Sequence, residues 1–207
     1  MKKIICFGDS LLEGSNSKTR FTDYLIDNNT DVINNGISGT TIGEYSIYPV
    51  DGSSLLSIYT KDDRIKDADT IILEYGSNDV TAIMCGFTDI DKVMISFVKA
   101  LDGIRQLNPT ANIKFLSVTD DNKILLSYAE LQCLYLEEDY FINYNFKFPV
   151  SKWADTYKYL IDAISKSVPV IPMVVDKDFM DKFISSDCLH PNEDGHRIIA
   201  TNISKLI

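Results

Sequence analysis

Histidine is scarce in this chain. There are two, His190 and His196, among 207 residues, so any step that needs an imidazole has two candidates. Cysteine is also sparse and scattered: Cys6, Cys85, Cys133 and Cys188 form no C-x-x-C pair. That spacing argues against zinc, an iron–sulfur cluster or a disulfide framework, and it suits a reducing compartment. Positive charge is short. Twenty Lys and Arg stand against thirty Asp and Glu, for a net charge of −10, and no basic cluster relieves it. Such a surface repels phosphate backbones and anionic membranes, which argues against nucleic-acid and membrane partners. Long apolar runs are missing too. After Lys2 and Lys3 the apolar run is only Ile4 to Phe7, too short for an export signal, and no segment approaches membrane-spanning length. The expectation is a cytoplasmic protein without membrane insertion. No repeat, low-complexity tract or linker appears, so residues 1–207 are expected to form one domain with a single core.

What is present is an alternation of apolar runs and amphipathic stretches. Strand-like runs occur at "KIICFG", "DVINNG" (31–36), "DTIILEYG" (69–76), "NIKFLSVT" (112–119) and "SVPVIPMVVD" (167–176), the last interrupted by Pro172. Between them lie helical stripes. One is Val93, Met94, Phe97, Val98, Leu101 and Ile104, ended by Asn108-Pro109. A second is Trp153, Tyr157, Leu160, Ile161 and Ile164. A third is Ile198, Ile199, Ile203 and Leu206, opening after Pro191. Shorter helices are expected within 17–28 and 53–66. Strands separated by helices predict a parallel sheet covered on both faces. Residues 121–150 break the alternation with a helix-like stretch and then "YFINYNFKFP", dense in aromatics. Such density needs burial, either in a satellite cluster or against substrate, and Tyr144 and Phe146 are candidates for a substrate pocket.

Four short motifs follow strand-like runs: Gly8-Asp9-Ser10-Leu11, "NNGISGTT" (34–41), Gly76-Ser77-Asn78-Asp79, and Asp187-Cys188-Leu189-His190-Pro191. In a parallel sheet all four fall at one edge, where α/β proteins bind ligands. A serine nucleophile needs an imidazole to take its proton, and the imidazole needs a carboxylate to orient it. The developing oxyanion needs donors already aimed at it. Ser10 offers a hydroxyl and a backbone N–H. His190 and Asp187, three residues apart in a loop before a helix, can be presented by one turn. Gly39 lets a backbone N–H approach closely, and Asn78 offers an amide. Singly these motifs are ordinary turns or caps; their joint occurrence in this order is far more specific. Asp9 and Asp79 are expected to brace their turns, Cys188 to pack, and His196 to face solvent or cap a contact.

The chain resembles the SGNH hydrolases, the GDSL esterases and lipases, from residue 2 to about 206. "FGDSLLEG" matches the family's nucleophile block at Ser10, and "NNGISGTT" matches the oxyanion glycine block at Gly39. "GSND" matches the asparagine block at Asn78, and "DCLHP" matches the block that supplies Asp187 and His190. The resemblance implies a three-layer, flavodoxin-like α/β/α sandwich with five parallel strands in the order 2-1-3-4-5. It implies a serine esterase acting on a small acyl ester, such as an acetylated carbohydrate or short-chain ester, with catalytic residues Ser10, Asp187 and His190. Its oxyanion hole would be Ser10, Gly39 and Asn78, and it would need no metal and no organic cofactor. Leu12 departs from the family's usual small polar residue, which bears on substrate preference. Two alternatives use the same fold: a binding protein such as a flavin carrier, which leaves Asp187 and His190 unexplained, and a catalytically idle interaction module.

Overall fold

A computed structural model of the chain describes residues 1–27, 29–45, 52–139, 149–187 and 189–207. Its centre is a parallel sheet of five strands: β1 (Lys2–Gly8), β2 (Thr30–Gly36), β3 (Thr70–Glu74), β4 (Asn112–Ser117) and β5 (Val170–Pro172). The order is β2-β1-β3-β4-β5, every neighbouring pair being parallel. The helices are α1 (Ser10–Glu13), α2 (Leu55–Ile58), α3 (Ser77–Met84), α4 (Ile90–Leu107), α5 (Asn122–Asp139), α6 (Val150–Ser165), α7 (Phe179–Lys182) and α8 (Glu193–Ser204). Short 3-10 helices occupy Phe21–Leu25, Tyr59–Lys61 and Asp63–Asp67.

The apolar runs become strands because both faces of the sheet are covered. Ile4 to Phe7 in β1 and Ile71 to Leu73 in β3 are almost wholly buried, each branched or aromatic side chain contributing roughly 1.5–3 kcal/mol. β2 is an edge strand and only half-buried, which accounts for its weak apolar signal. Its two asparagines act as connectors: Asn34 Nδ2 donates to Leu12 O (2.7 Å) and Thr22 Oγ1 (2.8 Å), and Asn35 Nδ2 to Asp62 Oδ2 (2.8 Å). β5 is confined to three residues, and Pro172, which lacks the N–H a ladder needs, is its last.

The helical stripes are core, as their spacing demands. Val93, Phe97, Leu101 and Ile104 of α4 are buried, as are Trp153, Tyr157, Leu160 and Ile164 of α6. Val98 and Leu206 are exceptions, 42% and 53% exposed, the latter beyond the end of α8. Leu12 is fully buried in the core, so its departure from the usual small polar residue is accommodated by packing. His196 is also fully buried, not solvent-facing: it shares a helix face with Ile199, Ala200 and Ile203 and stacks on Phe21, with ring centroids 6.2 Å apart. Tyr144, Phe146 and Cys188 lie outside the described residues.

Candidate active site

The carboxyl ends of the strands carry the four motifs, and each is shaped locally for its place. β1 ends at Gly8, where a Cβ would lie 2.6 Å from the Glu74 carbonyl oxygen, so only glycine permits the turn into α1. Asp9 caps α1 by accepting the Leu11 N–H at 3.0 Å. Ser10 is therefore the first residue of a helix, where a backbone N–H has no intrahelical acceptor. β3 ends likewise at Gly76, whose φ of +122° is closed to most side chains, and the turn opens α3 with Asn78 in its first turn. Gly39, with φ +78°, turns the loop that follows β2.

The histidine comes from the loop before α8. That loop is closed by a Ser185 N–H to His190 carbonyl bond of 2.7 Å and a bridge between Ile184 and Pro191. Within it Asp187 collects donors. Oδ1 accepts from Ser185 Oγ (2.5 Å) and from the Leu189 and His190 backbone N–H groups (3.0 Å each); Oδ2 accepts from Asn16 Nδ2 (2.5 Å) and meets His190 Nδ1 (2.5 Å). The other ring nitrogen, His190 Nε2, lies 2.9 Å from Ser10 Oγ, joining residues 180 apart in sequence. Partial burial works against the Asp187 charge, but these hydrogen bonds outweigh it and hold the carboxyl well below the usual carboxylate range. A hydroxyl, an imidazole and an ionised carboxylate in this sequence can move a proton off the hydroxyl.

Beneath the serine the carboxyls behave in the opposite way. Asp9, Glu74 and Asp79 are buried, and Asp9 N–H donates to the Glu74 carbonyl (3.2 Å) and to Glu74 Oε2 (3.4 Å). Burial pushes the Asp9 and Glu74 carboxyls up, Glu74 the more strongly because Asp9 is beside it. Burial also pushes Asp79 up to about 7, while its Oδ1 accepts from Ile42 N–H (3.0 Å) and Tyr45 O–H (3.1 Å). Asp79 thus braces the loop after Gly39 across to α3. Asn78 Nδ2 donates to Thr40 O at 3.0 Å and to Asp9 Oδ2 at 3.2 Å.

Ser10, Gly39, Asn78 and His190 all line one cavity of about 250 Å³. Two of its wall residues, Tyr128 and Gln132 on α5, lie outside every motif read from the sequence. Asn16 was missed as well. It is the single non-glycine residue with positive φ (62°) among the described residues, and that left-handed turn delivers its amide to Asp187. No group of three or more His, Cys, Asp or Glu among the described residues is arranged to hold a metal ion.

The fold is that of an α/β/α sandwich of the ester-hydrolase type. The GDSL-like Lipase/Acylhydrolase family profile matches residues 4–203, and the chain belongs to this family of ester hydrolases. Solved structures share the fold at low sequence identity. A lipase, Lip_vut3, from a goat rumen metagenome is 14% identical, with a TM-score of 0.65 over 99% of this chain and 97% of that one. A carbohydrate acetylesterase family member from Sinorhizobium meliloti is 16% identical, with a TM-score of 0.60 over 100% and 97%. The aryl esterase of M. smegmatis is 18% identical, with a TM-score of 0.62 over 99% and 97%. In sequence, no curated protein matches the chain. No helix among the described residues is long and apolar enough to cross a membrane.

Proposed function

We propose that this esterase works through Ser10, His190 and Asp187 on a small acyl ester. The observation that carries the reading is the 2.9 Å approach of His190 Nε2 to Ser10 Oγ, with Nδ1 of the same ring on Asp187. Ser10 Oγ bonds to the acyl carbon as its proton passes to His190 Nε2. The carbonyl π electrons move to oxygen, and the oxyanion is met by the Ser10 and Gly39 backbone N–H groups and by Asn78 Nδ2. Asn78 has a hydrogen to give, since its 3.2 Å contact with Asp9 is the longer of its two and a full oxyanion is the stronger acceptor. The C–O bond to the alcohol then breaks, and the alcohol leaves with the proton from His190. Water, deprotonated by the same nitrogen, releases the acid and restores Ser10. Asp187, ionised throughout, fixes the ring and stabilises its cationic form.

A cavity of about 250 Å³ lies below the usual size range of drug-scale pockets, which favours a short acyl group such as acetyl. An acetylated carbohydrate or a short-chain ester fits, with the Sinorhizobium meliloti neighbour a pointer to the former. The aromatic segment with Tyr144 and Phe146 follows α5, one wall of this cavity, and we keep it as a candidate cover for the acyl or alcohol group. The test is a p-nitrophenyl ester series from acetate to octanoate with wild type and Ser10→Ala. The reading expects turnover highest on acetate and lost by many powers of ten in the variant. Absence of wild-type turnover on every ester would favour an idle module on this fold, and a variant above about a tenth of wild-type turnover would remove Ser10 from the mechanism.

A further inference from the structure

The cavity wall carries a feature that ester hydrolysis alone does not use. Ser77 opens α3, while Tyr128 and Gln132 stand one turn apart on α5. All three line the cavity and are more than nine-tenths buried, with exposures of 5%, 2% and 7%. They are bonded in a row. Gln132 Nε2 donates to Tyr128 Oη at 2.7 Å, and Tyr128 Oη and Ser77 Oγ share a bond of 3.2 Å. The row is held in place from behind. Trp153 meets the Tyr128 ring edge-on at 5.8 Å, stacks on Tyr157 at 5.4 Å, and anchors its Nε1 on Thr81 Oγ1 at 3.4 Å. These side chains cannot turn away to find other partners.

Counting hydrogens shows what the row lacks. Ser77 and Tyr128 own two hydroxyl hydrogens, and one bond between them uses one. Tyr128 Oη is already an acceptor from Gln132, so the second hydrogen, on whichever oxygen, finds no acceptor among the described residues. A buried donor left unmade is costly, and this one borders an open cavity shared with Ser10 and His190. The rest of the described lining includes the polar side chains of Asp9, Ser38 and Asn78, with Leu189 its single aliphatic residue.

We propose that Ser77, Tyr128 and Gln132 form a subsite that reads an oxygen atom of the substrate outside the ester group, so that the natural substrate is a small hydroxylated ester. This rests on the assignment of Ser10 and His190 as the reacting pair. The oxygen accepts the surplus hydroxyl hydrogen. A substrate with a methyl group there leaves that donor buried and unmade, and a site built around such a hydrogen bond discriminates strongly against the analogue that lacks it. The same chemistry can come from a hydroxyl on the alcohol, as in a partly acetylated polyol, or from one on the acyl group, as in a hydroxy acid ester.

Two near-isosteric pairs separate these sources: 2-hydroxyethyl acetate against propyl acetate, and ethyl glycolate against ethyl propionate. Wild-type kcat/KM should favour the hydroxylated member of one pair by roughly 10- to 100-fold. The first pair responds if the oxygen lies on the alcohol, the second if it lies on the acyl group. Tyr128→Phe and Ser77→Ala each remove one of the two hydroxyls, and the one that removes the surplus hydrogen should collapse the responding ratio to within about threefold of unity. A merely structural role would lower both members of a pair together and leave the ratio standing. Ratios near unity for both pairs in wild type, or a preference that survives both variants, would overturn the subsite. p-Nitrophenyl acetate serves as the separate control: wild-type enzyme idle on that ester condemns the Ser10 reading itself, whereas turnover of it without hydroxyl preference condemns the subsite alone.

Discussion

Two groups of carboxyls stand within the same site and are shifted in opposite directions. Asp187, at the rim, is 18% exposed and receives hydrogen bonds from Ser185, Leu189, His190 and Asn16. Asp9, Glu74 and Asp79, beneath the serine, are sealed from solvent, have fewer donors, and in the case of Asp79 Oδ2 lack any partner among the described residues. Burial alone raises a carboxyl's pKa; burial answered by several donors lowers it. The rim carboxyl is thereby held as a charge beside His190, whereas burial shifts the floor carboxyls toward their neutral forms. Same residue type, different hydrogen-bond supply, different role.

The largest way to break the comparison is Asp187→Asn. It keeps shape and removes charge, and the neutral amide no longer favours the productive tautomer of His190. The expected loss in kcat is ~10³–10⁴ with melting within a few degrees of wild type. A loss below tenfold would place the charge elsewhere. Next is Asn78→Ala, on the border between floor and cavity. One oxyanion donor lost should lower kcat by ~10²–10³ with little change in KM. A raised KM with kcat preserved would make Asn78 a ground-state binder.

The third prediction uses pH. The Asp79 carboxyl, ordinarily near 3.8, is raised to about 7 by burial, so the folded state favours its neutral form. That contribution is complete below pH 3.8 and is lost as pH rises through 7; integrated, it is on the order of 4 kcal/mol, an upper figure for a buried group. Asp79→Asn mimics the neutral form, and it should melt near wild type at pH 4 and several degrees above it from pH 7 upward. His196 sets the acid arm. Burial first, then the proximity of His190, lowers it to about 4 from 6.5, and its buried ring nitrogens have no hydrogen-bond partner among the described residues. The fold favours the neutral ring, so stability is full above pH 6.5 and falls as pH drops toward 4. Differential calorimetry from pH 4 to 9 on both proteins checks each arm. A parallel pair of curves would mean that Asp79 is ionised in the folded protein.

The smallest effect is at Asn16. Asn16→Gly keeps the left-handed backbone and deletes the amide that donates to Asp187 Oδ2. With the other donors to Asp187 intact, kcat should fall roughly 3- to 10-fold, the worth of one hydrogen bond. A fall approaching that of Asp187→Asn would show that Asn16, not the loop's own amides, sets the rim carboxyl.

The contrast also explains what the sequence could and could not tell. β1, β3 and β4 were legible because strands covered on both faces must be continuously apolar, and α4 and α6 because a buried stripe repeats at helical spacing. Fold class and strand order follow from these and from the family resemblance. α3 was not legible as a helix, since its opening "GSND" is all cap and turn chemistry and gives no early apolar stripe. The burial of His196 had a signal, its register with Ile199, Ala200 and Ile203, which a polar residue type obscured. Asn16 had none, because its left-handed backbone and its bond to a residue 171 positions away are tertiary facts. Tyr128 and Gln132 sat within a stretch already marked as helix-like, yet their contact with Ser77 spans 51 residues and depends on how α5 is laid against α3. Local periodicity reports which face is buried, not what it is buried against.

The central claim is that Ser10 is the nucleophile and that His190 activates it. The most direct measurement is intact-protein and peptide mass spectrometry after treatment with diisopropyl fluorophosphate, which phosphorylates an activated serine. The account predicts one stoichiometric adduct, on the peptide that contains Ser10, absent from Ser10→Ala and slowed at least a thousandfold in His190→Ala. An adduct on another serine, or labelling of Ser10 that proceeds as fast without His190, would contradict it.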